Sequence, residues 1–320
     1  MSWDLLTIGL TTLDVVAVPV NALTHTERAI LVEQIACLPA GTAAGAALVS
    51  ATLGLSVAHV GAVGDDHTGD YIRVGLERAG VDTRHLMRLA GQRSSTTLLA
   101  VESSGTRSSY HALGAAGALA ISPDVVEAAR AARFVHYGAV GGQGTDGGPG
   151  ADLLRNARAA GAVVTCDLIS PRPGAREEIV RLMPHVDVFM PSAAEARALS
   201  GEDNLAAAAG VFLDQGARAC IIKNGPEGAY VATAERRTVV PAHDIQAVDT
   251  TSCGDSFCAG FIAATAKGAE LVEAVRFAAA TAALVAQGAG TLGHLIDHAA
   301  TLKAMKEMPV RQLSDAAIGA

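Results

Sequence analysis

The segment Asp249-Thr250-Thr251-Ser252-Cys253-Gly254-Asp255-Ser256-Phe257-Cys258-Ala259-Gly260-Phe261 carries the residue types of an anion site placed beside a base. Small residues bring the backbone of a loop into the start of a helix predicted from Gly254. Amides without intrahelical acceptors and the positive end of the helix dipole favour a phosphate there. Asp255 falls on the first turn of that helix. Residue chemistry alone leaves it two readings: a favourably placed helix-terminal carboxylate, or a general base for a hydroxyl beside a phosphate. An unperturbed Asp is ionised at pH 7, so the second reading expects a base that needs no upward tuning.

Other patterns are weaker. Gly142-Gln143-Gly144-Thr145-Asp146-Gly147 spells G-x-G-x-x-G, and Asp167 stands 20 positions beyond Gly147 at a predicted strand end, which mimics a dinucleotide fingerprint. The context opposes it. Gly138-Ala139-Val140-Gly141 separates the strand from the first Gly, Asp146 stands where a pyrophosphate needs bare amides, and Pro149 is expected to interrupt the helix start. Ser252-Cys253-Gly254-Asp255-Ser256 also looks like the surroundings of a serine-protease nucleophile. Phe257 then follows where a close Gly is needed, and the chain lacks the all-β, disulfide-bearing character of those enzymes. No G-x-x-x-x-G-K-[ST] occurs. The ten His show no metal-ligand spacing and are expected mostly at the surface or at helix caps.

The elements that must position these residues follow from hydrophobic patterning. Strands are predicted at Leu5–Leu10, Ser56–Val60, Phe134–Tyr137, Ala162–Asp167, Val186–Met190 and Ala219–Lys223. They alternate with helices at Gly41–Leu53, His67–Ala79, Ala151–Ala160, Ala193–Leu199, Leu205–Gln215, Gly254–Ala266 and Glu270–Ala286. This alternation predicts an α/β fold: a doubly wound, mostly parallel sheet flanked by helices. Val15–Val20 with Ala29–Ile35, and Thr96–Val101 with Thr106–His111 around Ser103-Ser104-Gly105, read instead as β-rich excursions. They predict a small β-sheet lid, about residues 15–38 and 95–112, on one domain spanning 1–308, with a poorly packed tail at 309–320. An exposed lid sheet needs cover for its apolar face, which predicts a homodimer through the lids.

Composition narrows the function classes. The 320 residues include 24 Lys+Arg against 32 Asp+Glu, a net charge of −8, and the pI is near 5.7. With no Lys/Arg run, a nucleic-acid partner is not expected. Hydrophobic residues make up 50% but aromatics only 3%, with 34 Gly, so the core is to be built from Ala, Val, Leu and Ile. Five scattered Cys without a C-x-x-C pair predict a reduced, cytoplasmic protein. Mean hydropathy is +0.32, and Ile35–Gly64 has no Asp, Glu, Lys or Arg. Ala, Gly, Thr and Ser dominate that stretch, while Phe277–Ile296 holds Gln287, His294 and three Gly, so both read as buried helices rather than membrane spans. Met1-Ser2-Trp3-Asp4 lacks the basic start of a signal peptide.

Three spaced segments together resemble one family. The Asp249–Phe261 segment looks like the C-terminal signature of the PfkB (ribokinase-like) carbohydrate kinases. Gly41 through Gly54, then Val60-Gly61-Ala62-Val63-Gly64-Asp65-Asp66-His67-Thr68-Gly69 and Leu76-Glu77-Arg78-Ala79-Gly80-Val81-Asp82-Thr83, resembles the N-terminal signature. Lys223-Asn224-Gly225-Pro226-Glu227-Gly228-Ala229-Tyr230 is similar to the family's nucleotide-side hairpin. The matches run in family order from about residue 4 to 290.

The resemblance implies an ATP- and Mg²⁺-dependent kinase that phosphorylates a hydroxyl of a sugar or sugar-like molecule. Asp255 would be the base, and the amides of Ser252, Cys253 and Gly254 the anion hole. Cys253 stands where Ala is common and carries an oxidation liability. Asp249, with Thr250, would shape the loop near a monovalent cation (K⁺) site. Asp14, after the first strand, would clamp sugar hydroxyls, with Gly41 and Gly45 at the start of the next helix. At Gly45 many relatives have Asn, and Gly114-Ala115-Ala116 stands where relatives often read Gly-Ala-Asn, which points away from ribose. Lys223, Gly225 and Gly228 would sit at the ATP phosphates and ribose, and Ala279 near the adenine. Ser192-Ala193-Ala194-Glu195 resembles N-x-x-E, in which Glu195 would arrange Mg²⁺ through water; Ser-x-x-Glu is equally a capping box. A nucleoside kinase of the same fold and a catalytically weak ligand-binding relative are the alternatives.

Overall fold

The computed structural model describes residues 3–22, 27, 29–169 and 171–313. In chain order the strands are β1 (Leu5–Gly9), β2 (Thr12–Val18), β3 (Gln34–Ala40), β4 (Val57–Gly64), β5 (Asp82–Leu89), β6 (Thr96–Val101), β7 (Arg107–Ala112), β8 (Phe134–Gly138), β9 (Val163–Cys166), β10 (Val188–Phe189), β11 (Ala219–Lys223), β12 (Ala229–Thr233) and β13 (Arg237–Val240). The helices are α1 (Thr42–Thr52), α2 (His67–Arg78), α3 (Pro123–Ala131), α4 (Pro149–Ala159), α5 (Ala175–Leu182), α6 (Ala193–Ser200), α7 (Leu205–Asp214), α8 (Cys253–Ala266), α9 (Leu271–Ala286) and α10 (His298–Glu307).

Among the described residues one nine-stranded sheet runs β13-β12-β11-β10-β9-β8-β1-β4-β5. Every pair is parallel except β11/β12 and β12/β13. Its strands are apolar on both faces, as parallel strands covered by helices must be. One face packs against α3 to α7, with Leu153, Ile179 and Phe212 at its centre. The other packs against α1, α2, α8 and α9, with Val49, Ile262 and Phe277. Ala and Gly bring α1, α8 and α9 close to the sheet and to one another, and α1 is buried along nearly its whole length. The few aromatics serve the core, where Tyr137, Phe189, Phe212 and Phe277 are fully buried. No helix among the described residues is long and apolar enough to cross a membrane.

The second sheet has the order β3-β2-β6-β7. It is mixed: β2 pairs parallel with β6, and the two outer pairs are antiparallel. The expected lid is there, but its first hairpin lies elsewhere in the chain. Strands expected at Val15–Val20 and Ala29–Ile35 form at Thr12–Val18 and Gln34–Ala40, because β2 starts only two residues after β1 ends. Residues 309–311, read as the start of a loose tail, pair with 242–244 instead; 314–320 lie outside the described residues. Among the described residues three His depart from the expected surface placement, and one of them, His243, is 7% exposed. His59 and His136 are fully buried, and burial pushes them down to about 3 and about 4, so both are neutral.

Candidate active site

Strand β1 has β4 on one side and β8 on the other. The strand order therefore reverses at β1, and open α/β sheets bind ligands beyond the carboxyl ends of strands at such a switch point. A cavity of about 1070 Å³ lies there. The underside of the lid roofs it, and the loops leading into α1 and α8 form one wall.

Asp255 stands on the first turn of α8. The preceding Ser252 is in the left-handed region, φ 56°, a conformation uncommon for a non-glycine residue. It turns the chain sharply into the helix. Gly41, at φ 102°, caps α1 with its Cα packed against Leu10. Gly45 in the next turn lies against Asp255, and a Cβ there would meet Oδ2 at 3.1 Å. Burial, followed by repulsion from Asp167, raises the Asp255 carboxyl to about 7; Lys223 partly opposes this, and Asp14 adds to it. The sequence expectation of an untuned carboxylate is thus corrected: the Asp255 carboxyl is raised well above the ordinary carboxylate range. Burial also raises the Cys253 thiol, to about 12, which disfavours the thiolate, the reactive form.

The lid underside is polar by alternation. On β7, Arg107, Ser109 and His111 face the cavity, and from β2 and β6 come Asp14 and Thr97. Asp14 is paired in register with Thr97, and Thr97 with His111. Thr97 Oγ1 lies 3.1 Å from His111 Nδ1. Asp14 is 7% exposed. Among the described residues its Oδ1 has no hydrogen-bond partner, and desolvation raises its pKa to about 6. A buried carboxylate oxygen without a donor is a group that a ligand hydroxyl would satisfy.

At the opposite end Lys223 Nζ donates to Asp167 Oδ2 at 2.6 Å, and the Cys258 thiol donates to the same oxygen at 3.3 Å. Burial alone would push Lys223 down, but the neighbouring Asp167 carboxylate, with Cys258 and Glu195, more than offsets this and holds it charged. Ser192 and Glu195 form a complete capping box at α6: Ser192 Oγ accepts from the Glu195 amide and Glu195 Oε2 accepts from the Ser192 amide. Glu195 also lines the cavity, and its pKa is raised by burial and then by Asp167. Gly225, Gly228 and Ala279 line the same end, Ala279 with Ala282, Ala283 and Ala286 as an apolar shelf. Among the described residues no cluster of three or more His, Cys, Asp or Glu forms a metal cage.

The cavity gathers every sequence-predicted site residue except Gly45 and Asp249. Gly45 sits just behind Asp255. Asp249 is fully buried; its Oδ1 accepts from the amide and hydroxyl of Thr251 and its Oδ2 from the Gly290 amide, so it ties the loop before α8 to the chain after α9. Ala116 lines a small adjoining pocket instead. Sequence reasoning missed Arg107, His111 and Thr97, and met Asp167 only as part of a false fingerprint. A charged residue at the carboxyl end of a parallel strand was the available signal for Asp167. The G-x-G-x-x-G loop binds itself: the Asp146 carboxylate accepts from the Gly141 amide at 2.9 and 3.1 Å. Pro149 does not interrupt the helix there but opens α4, where a missing N–H costs nothing.

The profile of the pfkB family carbohydrate kinases matches residues 3–297. The chain belongs to the pfkB family. Like other pfkB kinases it is a phosphotransferase with an alcohol group as acceptor. Among curated pfkB relatives, a ribokinase of Haemophilus influenzae is 27% identical over 76% of this chain and 79% of its own. A nucleoside kinase of Methanothermobacter thermautotrophicus is 27% identical over 94% of each chain. An ATP-dependent ribose-1-phosphate kinase of Halopiger xanaduensis is 31% identical over 77% of this chain and 79% of its own. The fold matches that of an Arabidopsis thaliana ribokinase complexed with ribose and ATP, with TM-score 0.78, 24% identity and coverage of 96% of this chain and 99% of that one. It also matches an E. coli protein solved with ATP and Mg²⁺, with TM-score 0.82, 21% identity and coverage of 95% and 99%.

Proposed function

We propose that this chain transfers the γ-phosphate of ATP, with Mg²⁺, to a hydroxyl of a sugar or sugar-like molecule, with Asp255 as general base. The observation that carries the reading is the convergence of Asp255, Asp14 and Lys223 on one cavity, with Asp255 raised to about 7 and an unpartnered buried oxygen on Asp14. Asp14 would fix the acceptor through its hydroxyls, and Asp255 would take the proton of the attacking one. The amides of Gly254 and Asp255, with no carbonyl one turn back inside the helix, would face the charge that develops during transfer. Gly254 fits a phosphate cradle, since the space a Cβ would take there reaches Lys223 Nζ at 3.4 Å. Cys253 is the less suited donor, because its amide already leans on the Thr250 carbonyl at 3.4 Å.

When bound, Mg²⁺ neutralises phosphate charge, and it is usually held by one or two carboxylates besides the phosphates and water. Glu195, at the cavity wall with Asp167 nearby, fits such a water-mediated role beside its capping duty. Asp249 is saturated with donors, so beside a monovalent cation such as K⁺ it would shape the loop rather than ligate. The five free cysteines fit a cytoplasmic setting. The lid's outer face supports a homodimer: the cross-strand row Cys37, Val15, Leu98 and Tyr110 lies opposite the cavity-facing row, and Leu98 and Tyr110 are about half exposed. A nucleoside acceptor is the second reading, favoured by the nucleoside kinase relative that matches 94% of the chain. A phosphotransfer screen with ATP against sugars, sugar acids, sugar phosphates, polyols and nucleosides tests both readings. Transfer to none of them, with the protein folded, would overturn the kinase assignment.

A further inference from the structure

Of the basic side chains lining the cavity, two are already neutralised. Lys223 is paired with Asp167 at 2.6 Å and Arg311 with Asp244 at 3.3 Å. Two are not. Arg107 on β7 forms no ion pair among the described residues, and its Nη1 donates to the neutral Thr250 Oγ1 at 2.9 Å. Arg172, in the segment between β9 and α5, lines both the main cavity and the small adjoining pocket; its guanidinium has neither an ion pair nor a hydrogen bond among the described residues. Both residues line the main cavity, where β7 also places His111.

The remainder of the lining carries Asp14 and several Ser and Thr hydroxyls, groups that can pair with a sugar hydroxyl, but neither cavity is lined by an Asn or Gln side chain. Around Arg172 the walls are Leu10, Leu113, Ala116, Gly117 and Ile169. What this end adds is unpaired positive charge beside apolar walls. Burial, and after it the nearby Arg172 charge, depresses the His111 pKa, so His111 stands neutral beside that guanidinium.

We propose that the acceptor is itself anionic, carrying a phosphate ester or a carboxylate that Arg107 and Arg172 receive at the lid end of the cavity while its hydroxyl lies at Asp14 and Asp255. Guanidinium forks suit both groups, through paired charge-assisted hydrogen bonds. The proposal rests on the kinase reading of the same cavity and sharpens its substrate class from sugar-like to sugar phosphate or sugar acid.

The test reads binding without ATP, so that its outcome is separate from that of the kinase reading. Ribose, ribose 5-phosphate and ribonate, and glucose, glucose 6-phosphate and gluconate, are titrated calorimetrically into the wild-type protein, Arg107→Gln and Arg172→Gln. The expected result is at least tenfold tighter binding of an anionic member than of its neutral parent, weakened by salt and abolished in each variant. The phosphate and carboxylate arms separate the two anion types. Both arginines are exposed, so the variants should keep the wild-type melting temperature. Neutral parents binding as well as the anions, no anion binding, or both variants keeping the preference would each overturn the proposal. So would a loss of ATP affinity in Arg172→Gln with acceptor preference intact, since the arginine would then serve the nucleotide. An anionic sugar that binds as expected yet is never phosphorylated would sink the kinase reading alone.

Discussion

Gly45 on α1 backs directly onto the carboxylate of Asp255 on α8, so close that a single added methyl would stand 3.1 Å from Oδ2. Gly45→Ala should therefore separate stability from catalysis. Ala is the better helix former by about 1 kcal/mol, so the melting temperature should hold or rise. The methyl displaces the Asp255 carboxylate by a few tenths of an ångström, which should lower kcat by roughly 3- to 30-fold, since a 1 Å misplacement can cost about 10²-fold. Unchanged kcat would mean that the position of Asp255 does not limit the reaction.

Asp255→Asn keeps the shape of the first turn but cannot take a proton. It should retain ATP affinity and lose about 10²–10⁴ in kcat. A loss of less than tenfold would refute the base assignment. In the wild type, kcat/KM should rise with pH and level off above about 7, following deprotonation of Asp255.

The same shift has a stability consequence with a definite sign. Asp255 binds its proton more tightly folded, about 7, than unfolded, near the ordinary value of 3.8. Between these pH values the folded state holds more protons, so this group's contribution falls as pH rises from about 4 to about 7. Melting curves across that window should converge for wild type and Asp255→Asn at pH 4, with the variant the more stable at pH 8. The opposite order at pH 8 would contradict the raised pKa.

Lys223 and Asp167 are 13% and 2% exposed at their side chains, so breaking the pair leaves a buried charge. Lys223→Met should destabilise by about 3–5 kcal/mol, and the double variant Lys223→Met/Asp167→Leu should recover most of that loss. Neither should bind ATP normally. Denaturant unfolding with ATP titration checks both, and a double variant no more stable than the single one would show that the pair is not energetically coupled.

Gly254→Val tests the cradle at α8. Space for a side chain exists there in the protein itself, with Lys223 Nζ at 3.4 Å from a Cβ, so the fold should survive. The isopropyl group would fill the place of a phosphate, and kcat should fall by more than 10²-fold, the scale of losing an oxyanion donor. Near-normal turnover would place the anion site elsewhere.

The outer row of the lid predicts a dimer at micromolar concentration in sedimentation experiments. Leu98→Glu/Tyr110→Glu, which places like charges on cross-strand partners, should give a monomer. A wild-type monomer, with and without substrates, would remove the lid interface.

How much of this was legible in the sequence depended on which surface each residue faces. The main sheet and α1, α8 and α9 were readable because their buried faces are apolar and their periods clean. The Asp255 loop was readable because small residues at a helix start have few other uses. On the lid the usual signal runs backwards: Arg107, Ser109 and His111 point inward and Tyr110 outward, because what lies inside is a cavity rather than a core. Asp14 interrupts the β2 run for the same reason, so the strand was placed three residues late. The two-residue β10 falls inside the strand predicted at Val186–Met190, whereas β12 and β13 join the sheet antiparallel, so neither of these gives the alternation of a βαβ unit. The pKa of Asp255 was illegible because Asp167 and Asp14, its charged neighbours, come from elements 88 and 241 positions away.

Strand β2 leaves β1 after only Leu10 and Thr11, so Asp14 rides on the lid while Asp255 belongs to the frame beneath it. The two carboxylates are thus mounted on separate parts of the fold, one on a lid strand and the other at the start of a helix packed on the main sheet. On the proposed reading the lid would hold the acceptor and the frame would deprotonate it, so any shift of one against the other would change which hydroxyl meets Asp255.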